Sequence, residues 1–410
     1  MKRNDLHVLR ELASEVAEIA VLPAQQETIA LWHGLNGLRP ARPMVMIDEL
    51  PWNEMDFDGE LTLQTEDGFC RGLEARLRQT LYAWRHFPVD MVVEPVIDIP
   101  KVIRTDGFGV GIEETTLTSA DDNVVLSHHY VDQFRTEDDV GKIRVPVITL
   151  DEGATASAEA RAHEVFDGIL DVRMQGMFLS YEIWDDITTW RGAENVLVDL
   201  IDRPAFMHQI ASRYIDAKLA MLDQLEARGL LGYGQPRVHC TGAHTDELPA
   251  PGFDPARPRA KDNWTSGMAQ ILGSVSPAMY EEFEVDYAIK WYSRFGLGYY
   301  GCCDPLHDRV DIIRRIPNVR KISMSAWADV DKGAERIGRD FVFSRKPNPA
   351  LVAMETWEPE AIEKDLRRTL DACTRYGCPV EITLKDISTV RYQPQRIWEW
   401  AGIASRLVDR

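Results

Sequence analysis

The sequence predicts an α/β fold: a (β/α)8 TIM barrel with an N-terminal helical extension and a β-rich insertion. Three observations predict it. Short apolar runs alternate with amphipathic stretches along most of the chain, about eight of these runs are each followed by a helical pattern, and no run leads into a GxGxxG or Walker-type loop of the kind an open nucleotide-binding sheet would carry.

The elements follow in order. Residues 4–20 and 24–37 read as helices, and MVMIDEL (44–50) is an apolar run closing on two acids, as a buried parallel strand would. A helix is expected near 70–84 and a strand at MVVEPVID (91–98). The stretch 100–150, rich in Thr, Asp, Gly and Val, reads as a β-hairpin insertion covering one mouth of the domain. Next come a strand at MFLSYEIW (177–184), a long helical stretch at 193–228 with Pro204 near a helix start, and a strand at PRVHCTG (236–242). A Pro/Gly-rich loop (242–262) leads to a helix opening at Ser276-Pro277, where Ser caps and Pro suits the first turn. Strands at 296–303, 319–327, 340–344 and 379–384 alternate with helices at 307–316, 330–337, 358–376 and 394–408. The expected organisation is a helical extension over 1–40 and a barrel over 41–410, with the insertion at about 100–150.

Composition narrows the function. The chain has 410 residues, 46 basic against 66 acidic side chains and a formal charge of −20, which argues against general binding to nucleic acid or anionic lipid. No apolar run approaches a membrane span, the N-terminus reads as an amphipathic helix rather than a signal peptide, and six irregularly spaced cysteines do not make a disulfide framework. A cytoplasmic protein with reduced thiols is expected.

In a barrel the chemistry sits where strands end, so the residues after each run are the candidates. Glu49, Asp304, Lys385 and Asp386 are the candidate catalytic groups; Tyr300, Trp264, Trp327, Lys346 and Asn348 are the candidate substrate-binding residues. Cys302 and Cys303 adjoin in YGCCDP. Neighbours on a strand point to opposite faces, so both can look inward only if the strand ends or bulges there. Two buried small hydrophobes, a vicinal disulfide and a metal site are the three readings of the pair; with His239, Cys302 and Cys303 supply the ligand types zinc prefers, without a CxxC spacing. Glu381 lies inside the last strand, where burial raises its pKa unless a cation pairs with it, and Lys385 projects to the same side.

With these elements in place, roughly the second half of the chain resembles the uroporphyrinogen decarboxylase superfamily, which includes cobalamin-dependent methyltransferases. SPAMYEEFEVDYAIKWYSRFG, a strand ending in a cysteine motif, IPNVRKISMSAWADV, SRKPNP and PQRIWEW carry the resemblance, in that order. The resemblance implies a TIM barrel, a zinc-activated thiol and a corrinoid on a partner protein or free in solution, because the chain has no Asp-x-His-x-x-Gly motif of its own; homodimerisation is likewise implied. Two departures matter. Where decarboxylases carry an arginine loop after the first strand, this chain has Asp48-Glu49-Leu50-Pro51-Trp52, which would repel a polycarboxylate; and Lys385-Asp386 stand where zinc methyltransferases carry their second cysteine. The expected function is a methyltransferase-like enzyme moving a methyl group between a small methylated substrate and a corrinoid, with metal assistance from His239, Cys302 and Cys303. The alternatives are a metal-dependent decarboxylase or lyase of a small carboxylate, and a tetrapyrrole-binding protein.

Overall fold

The computed structural model describes residues 1–117 and 127–409. Eight parallel strands organise it: β1 (Met44–Ile47), β2 (Val96–Pro100), β3 (Asp171–Gln175), β4 (Trp264–Gly267), β5 (Leu297–Tyr300), β6 (Val319–Met324), β7 (Val342–Arg345) and β8 (Val380–Leu384). Six of them form one sheet in the order β1, β8, β7, β6, β5, β4, so the first and last strands lie side by side, with Met44 opposite Glu381 and Ile47 opposite Leu384. Strands β2 and β3 pair separately, Val96 opposite Asp171. Single hydrogen bonds cross the gaps: Asp90 N–H to the Val45 carbonyl (2.9 Å), Tyr181 N–H to Ser266 (2.8 Å) and Met268 N–H to Tyr181 (2.8 Å). The α/β class and the parallel sheet are as expected. Continuous strand pairing does not close a ring among the described residues, and Pro95, which has no N–H to donate, lies just before β2 where one ladder stops.

Strands β1, β5, β7 and β8 are buried at every position, which is why they read as unbroken runs rather than alternating ones. One side faces the helices: Val45, Ile47, Ile382 and Leu384 pack with Ile397, Trp400 and Ala401 of the helix Gln395–Val408. At the N-terminus, the helix Arg3–Ala20 buries Val8, Leu9, Leu12 and Val16 against Leu73, Leu77 and Leu81 of the helix Gly68–His86. Trp32, from the helix Pro23–Asn36, is fully buried against Met44, Met46 and Val342 and donates its indole N–H to the Asp90 carbonyl (2.9 Å).

Several segments differ from expectation, among them the strand expected at 91–98, which runs Val96–Pro100. The run 177–184 is not a strand: β3 ends at Gln175, Met177 and Tyr181 make single bridges, and a helix begins at Ile183. The apolar letters there belong to a strand exit and a buried first helical turn, whereas β3 hides behind charge, Arg173 pairing with Asp98 at 2.5 Å. The helical stretch 193–228 is as expected, with Pro204 opening its second helix: Ala193–Asp202 is followed by Pro204–Ala227, because proline opens a helix readily and continues one badly. The run 236–242 is a hairpin, Arg237–Val238 against Thr241–Gly242, turning at His239-Cys240. Within the insertion, Ile103–Thr105 pairs with Ile148–Leu150 and Glu114–Leu117 with Ser127–Tyr130; part of the expected hairpin, 118–126, lies outside the described residues. It lies against the helices, with Gln133 N–H on the Trp190 carbonyl (2.9 Å) and Arg213 on that of Ile143 (3.0 Å).

Candidate functional site

Alternation along the strands turns a polar set away from the helices. Lys321 and Ser323 of β6, Ser344 of β7 and Glu381 and Thr383 of β8 are all fully buried. Lys321 Nζ meets Glu381 Oε2 at 2.8 Å and the Gly242 carbonyl at 2.9 Å, and Thr241 Oγ1 donates to Glu381 at 2.6 Å. Burial would raise the Glu381 pKa, but Lys321 and Lys346 outweigh it and hold it low, so Lys321 is the cation the sequence required.

The same columns end in a cleft of about 400 Å³ at the C-terminal edge of β5 to β8, lined by Cys302, Cys303, Ser325, Trp327, Lys346, Asn348, Lys385 and Asp386. Both cysteines reach it. Gly301 stands at φ +94°, a conformation that suits glycine, and breaks the alternation just past β5. Cys302 Sγ lies 3.5 Å from Cys303 Sγ and 3.5 Å from Lys385 Nζ; Cys303 Sγ faces Asp386 Oδ2 at 3.4 Å. Lys385 Nζ is also 3.0 Å from Asp386 and 3.2 Å from Glu49, whose other oxygen accepts from Cys240 Sγ at 3.0 Å.

These contacts make the two thiols unequal. Cys302 is depressed to about 4, chiefly because Cys303 donates to it, with His239 and Lys385 helping against burial. Cys303 is raised, because it donates to a thiolate and is itself desolvated. Burial alone would favour neutral Lys385, but Cys302, Cys240 and Asp386 outweigh it and hold the ammonium charged. Asp304 is buried and raised to about 6, mainly by desolvation; one oxygen accepts the Cys302 N–H (3.1 Å), and the other has no partner among the described residues. His239 stands beside this site in the hairpin, its ring 4.9 Å from that of Tyr299 and its buried Nε2 without a hydrogen-bond partner among the described residues. It stands at φ +41° and Cys240 at +68°, a turn normally built from Asn and Gly.

The structure thus brings together Glu49, His239, Cys302, Cys303, Asp304, Lys385 and Asp386, with Trp327, Lys346 and Asn348 on the cleft wall. Two candidates lie elsewhere. Tyr300 is fully buried and turned away, donating to Glu284 Oε1 at 2.6 Å. Trp264 opens β4 and donates to the Ala243 carbonyl (2.9 Å), lining a separate pocket with His33, His244 and Arg173. Neither wall residue was separable by sequence, since an aromatic on a parallel strand reads the same on either face. The vicinal pair is two free thiols.

The metal expectation fits poorly. Among the described residues no group of three or more His, Cys, Asp or Glu side chains is arranged to hold a metal ion. The reason is visible at the sulfur: the Lys385 ammonium already occupies the position of a countercation beside Cys302.

Sequence reasoning missed Glu284. It sits on a π-helical turn (Glu281–Val285) inside the helical stretch 277–292 and accepts from Tyr300 and Tyr181 (3.0 Å), while Tyr280 and Tyr300 share a hydrogen bond. Its only signal was an acid flanked by apolar Phe283 and Val285. No helix of the described residues is long and apolar enough to cross a membrane.

No family model and no curated protein matches the sequence. Among solved structures, a methyltransferase from Methanosarcina mazei is similar over 93% of this chain and 98% of that chain, with 12% sequence identity and a TM-score of 0.47.

Proposed function

We propose that the chain is a methyltransferase-like enzyme that takes a methyl group from a small molecule held in the strand-end cleft. The observation that carries this reading is the setting of Cys302: its sulfur lies 3.5 Å from both Cys303 Sγ and the Lys385 ammonium, contacts that favour the thiolate, and opens on a cleft of about 400 Å³. A cleft of that size is within the range of small-molecule sites, about 300–1,000 Å³.

In the proposed step Cys302 Sγ attacks the carbon of a methyl group bound to oxygen or nitrogen. The S–C bond forms, the heteroatom–carbon bond breaks, and its electron pair stays on the leaving heteroatom. Methylation removes the negative charge that holds the proton on Lys385, so the Nζ 3.5 Å away becomes able to protonate the leaving group. The acceptor in the next step is expected to be a corrinoid, on a partner protein or free in solution.

The test is incubation with deuteromethyl-labelled methyl ethers and methylamines, followed by peptide mass spectrometry. A labelled methyl on Cys302, absent from C302S, supports the reading; its release on adding reduced cobalamin supports the corrinoid acceptor. No label on Cys302 with any donor, or unchanged turnover in C302S, rejects thiolate methyl transfer. Loss of carbon dioxide from an added carboxylate without label on Cys302 would favour the decarboxylase alternative.

A further inference from the structure

We infer that the substrate of this cleft carries a carboxylate, held by Lys346 Nζ and Ser325 Oγ on the wall formed by the ends of β7 and β6. This rests on the cleft being the active site, as proposed above, and names the class of molecule that it takes.

Lys346 is 5% exposed, yet its ammonium makes one hydrogen bond, to Ser344 Oγ at 3.3 Å, and otherwise lies 5.1 Å over the Tyr299 ring. No carboxylate lies within ion-pair distance of it among the described residues. Among the other buried cations, Lys321, Arg191 and Arg345 each meet a carboxylate, and Arg309 and Arg396 are held by backbone carbonyls; Lys346 has neither among the described residues. A buried ammonium with free donors is costly unless an anion arrives to take them. Ser325, 2% exposed, is the second observation: its hydroxyl has no partner among the described residues, although its carbonyl is used by Arg345 at 2.6 Å. Both residues line the cleft, as does Asn348 two positions beyond Lys346. An ammonium and a hydroxyl left unsatisfied in one wall match the two acceptor oxygens of a carboxylate.

The opposite wall differs. Lys385 is saturated by Glu49, Asp386 and Cys302, and the adjacent carboxylates would repel a second anion there. The carboxylate is therefore directed to the Lys346 wall and the methyl group to Cys302. Burial pulls the Lys346 pKa down and the Glu381 charge pulls it back up; an incoming carboxylate favours the ammonium further.

The test uses methoxyacetate and its uncharged partner methoxyacetamide, titrated calorimetrically into the wild type, C302S, K346M and S325A. The expected result is that the acid binds at least about tenfold more tightly than the amide, as charge-assisted hydrogen bonds to a buried donor require. This preference should survive in C302S, collapse in K346M and weaken in S325A. Equal binding of acid and amide by the wild type, or an undiminished preference in a folded K346M, overturns the inference; should K346M not fold, an undiminished preference in S325A overturns it instead. Because binding is read in C302S, where no methyl can be transferred to the thiolate, a failed transfer experiment leaves this outcome independent.

Discussion

At the residue scale the site turns on how one thiol of an adjacent pair becomes the anion. Cys302 is depressed to about 4, so its thiolate is already formed at pH 6 and stays formed as pH rises. Its alkylation by iodoacetamide should therefore be nearly independent of pH between 6 and 8, whereas an ordinary thiol would gain about tenfold per unit over that range. K385M should move the onset upward by about 1–2 units, and an unchanged profile would show that the ammonium does not set the charge on sulfur. Asp304 behaves oppositely. Its folded pKa is raised to about 6, so it contributes stability below the unfolded carboxylate range and loses it as pH climbs through 6. The wild type should lose up to about 3 kcal/mol from this group between pH 4 and 8, and D304N should not, as urea midpoints at the two pH values would reveal. The candidate site was legible where chemistry follows from strand-end position: Cys302, Lys385, Asp386 and Glu49 converge as expected. Tyr300 was misplaced because a fully buried strand shows no alternation from which to read its facing.

At the level of elements, two short departures from regular geometry matter, one at the cleft and one in the core against Tyr300. A Cβ at Gly301 would meet Leu306 Cδ1 at 2.3 Å and Ser323 Cβ at 3.1 Å, in addition to the strain of φ +94°. G301A should cost about 2–4 kcal/mol in chemical denaturation and also raise the Cys302 alkylation pKa, because the turn presents both sulfurs. The second departure is the π-turn carrying Glu284. Burial raises the pKa of this acid well above its usual range, against the Tyr300 and Tyr181 hydrogen bonds that lower it. E284A should cost about 2–4 kcal/mol in chemical denaturation by stranding the Tyr181 and Tyr300 hydroxyls, more than E284Q, which keeps an acceptor oxygen; equal losses in the two variants would contradict the role of Glu284 as their acceptor. Elements with one strong signal were legible: the helix at 330–337 matches Val330–Ile337, and 394–408 became Gln395–Val408. Those built by compromise were not: β3 carries Arg173 because its charge is paired with Asp98, and Asp171 because it stands exposed at the strand start, while the His239-Cys240 hairpin lacks the Asn-Gly letters that announce such turns.

For the whole molecule, an excess of acids over bases sets the solution behaviour, with an isoelectric point near pH 5. Light scattering should show least solubility near that pH and improving solubility above it, since net charge keeps copies apart. The fit of the site predicts that metal analysis finds no stoichiometric zinc and that chelation leaves Cys302 reactivity unchanged; a bound zinc lost together with the thiolate would reverse the assignment of Lys385 as the countercation. The parallel pairing of β1 with β8 has a temporal consequence as well. Met44 must wait for Glu381, so the sheet's seam, and with it the meeting of Glu49 with Lys385, joins nearly the two ends of the chain. Such long-range closure is slow to nucleate. During synthesis the early strands and helices must persist beside an unfilled edge until the last strand emerges, which makes β1 and β7, the neighbours awaiting it, the segments most open to chaperones in the nascent chain.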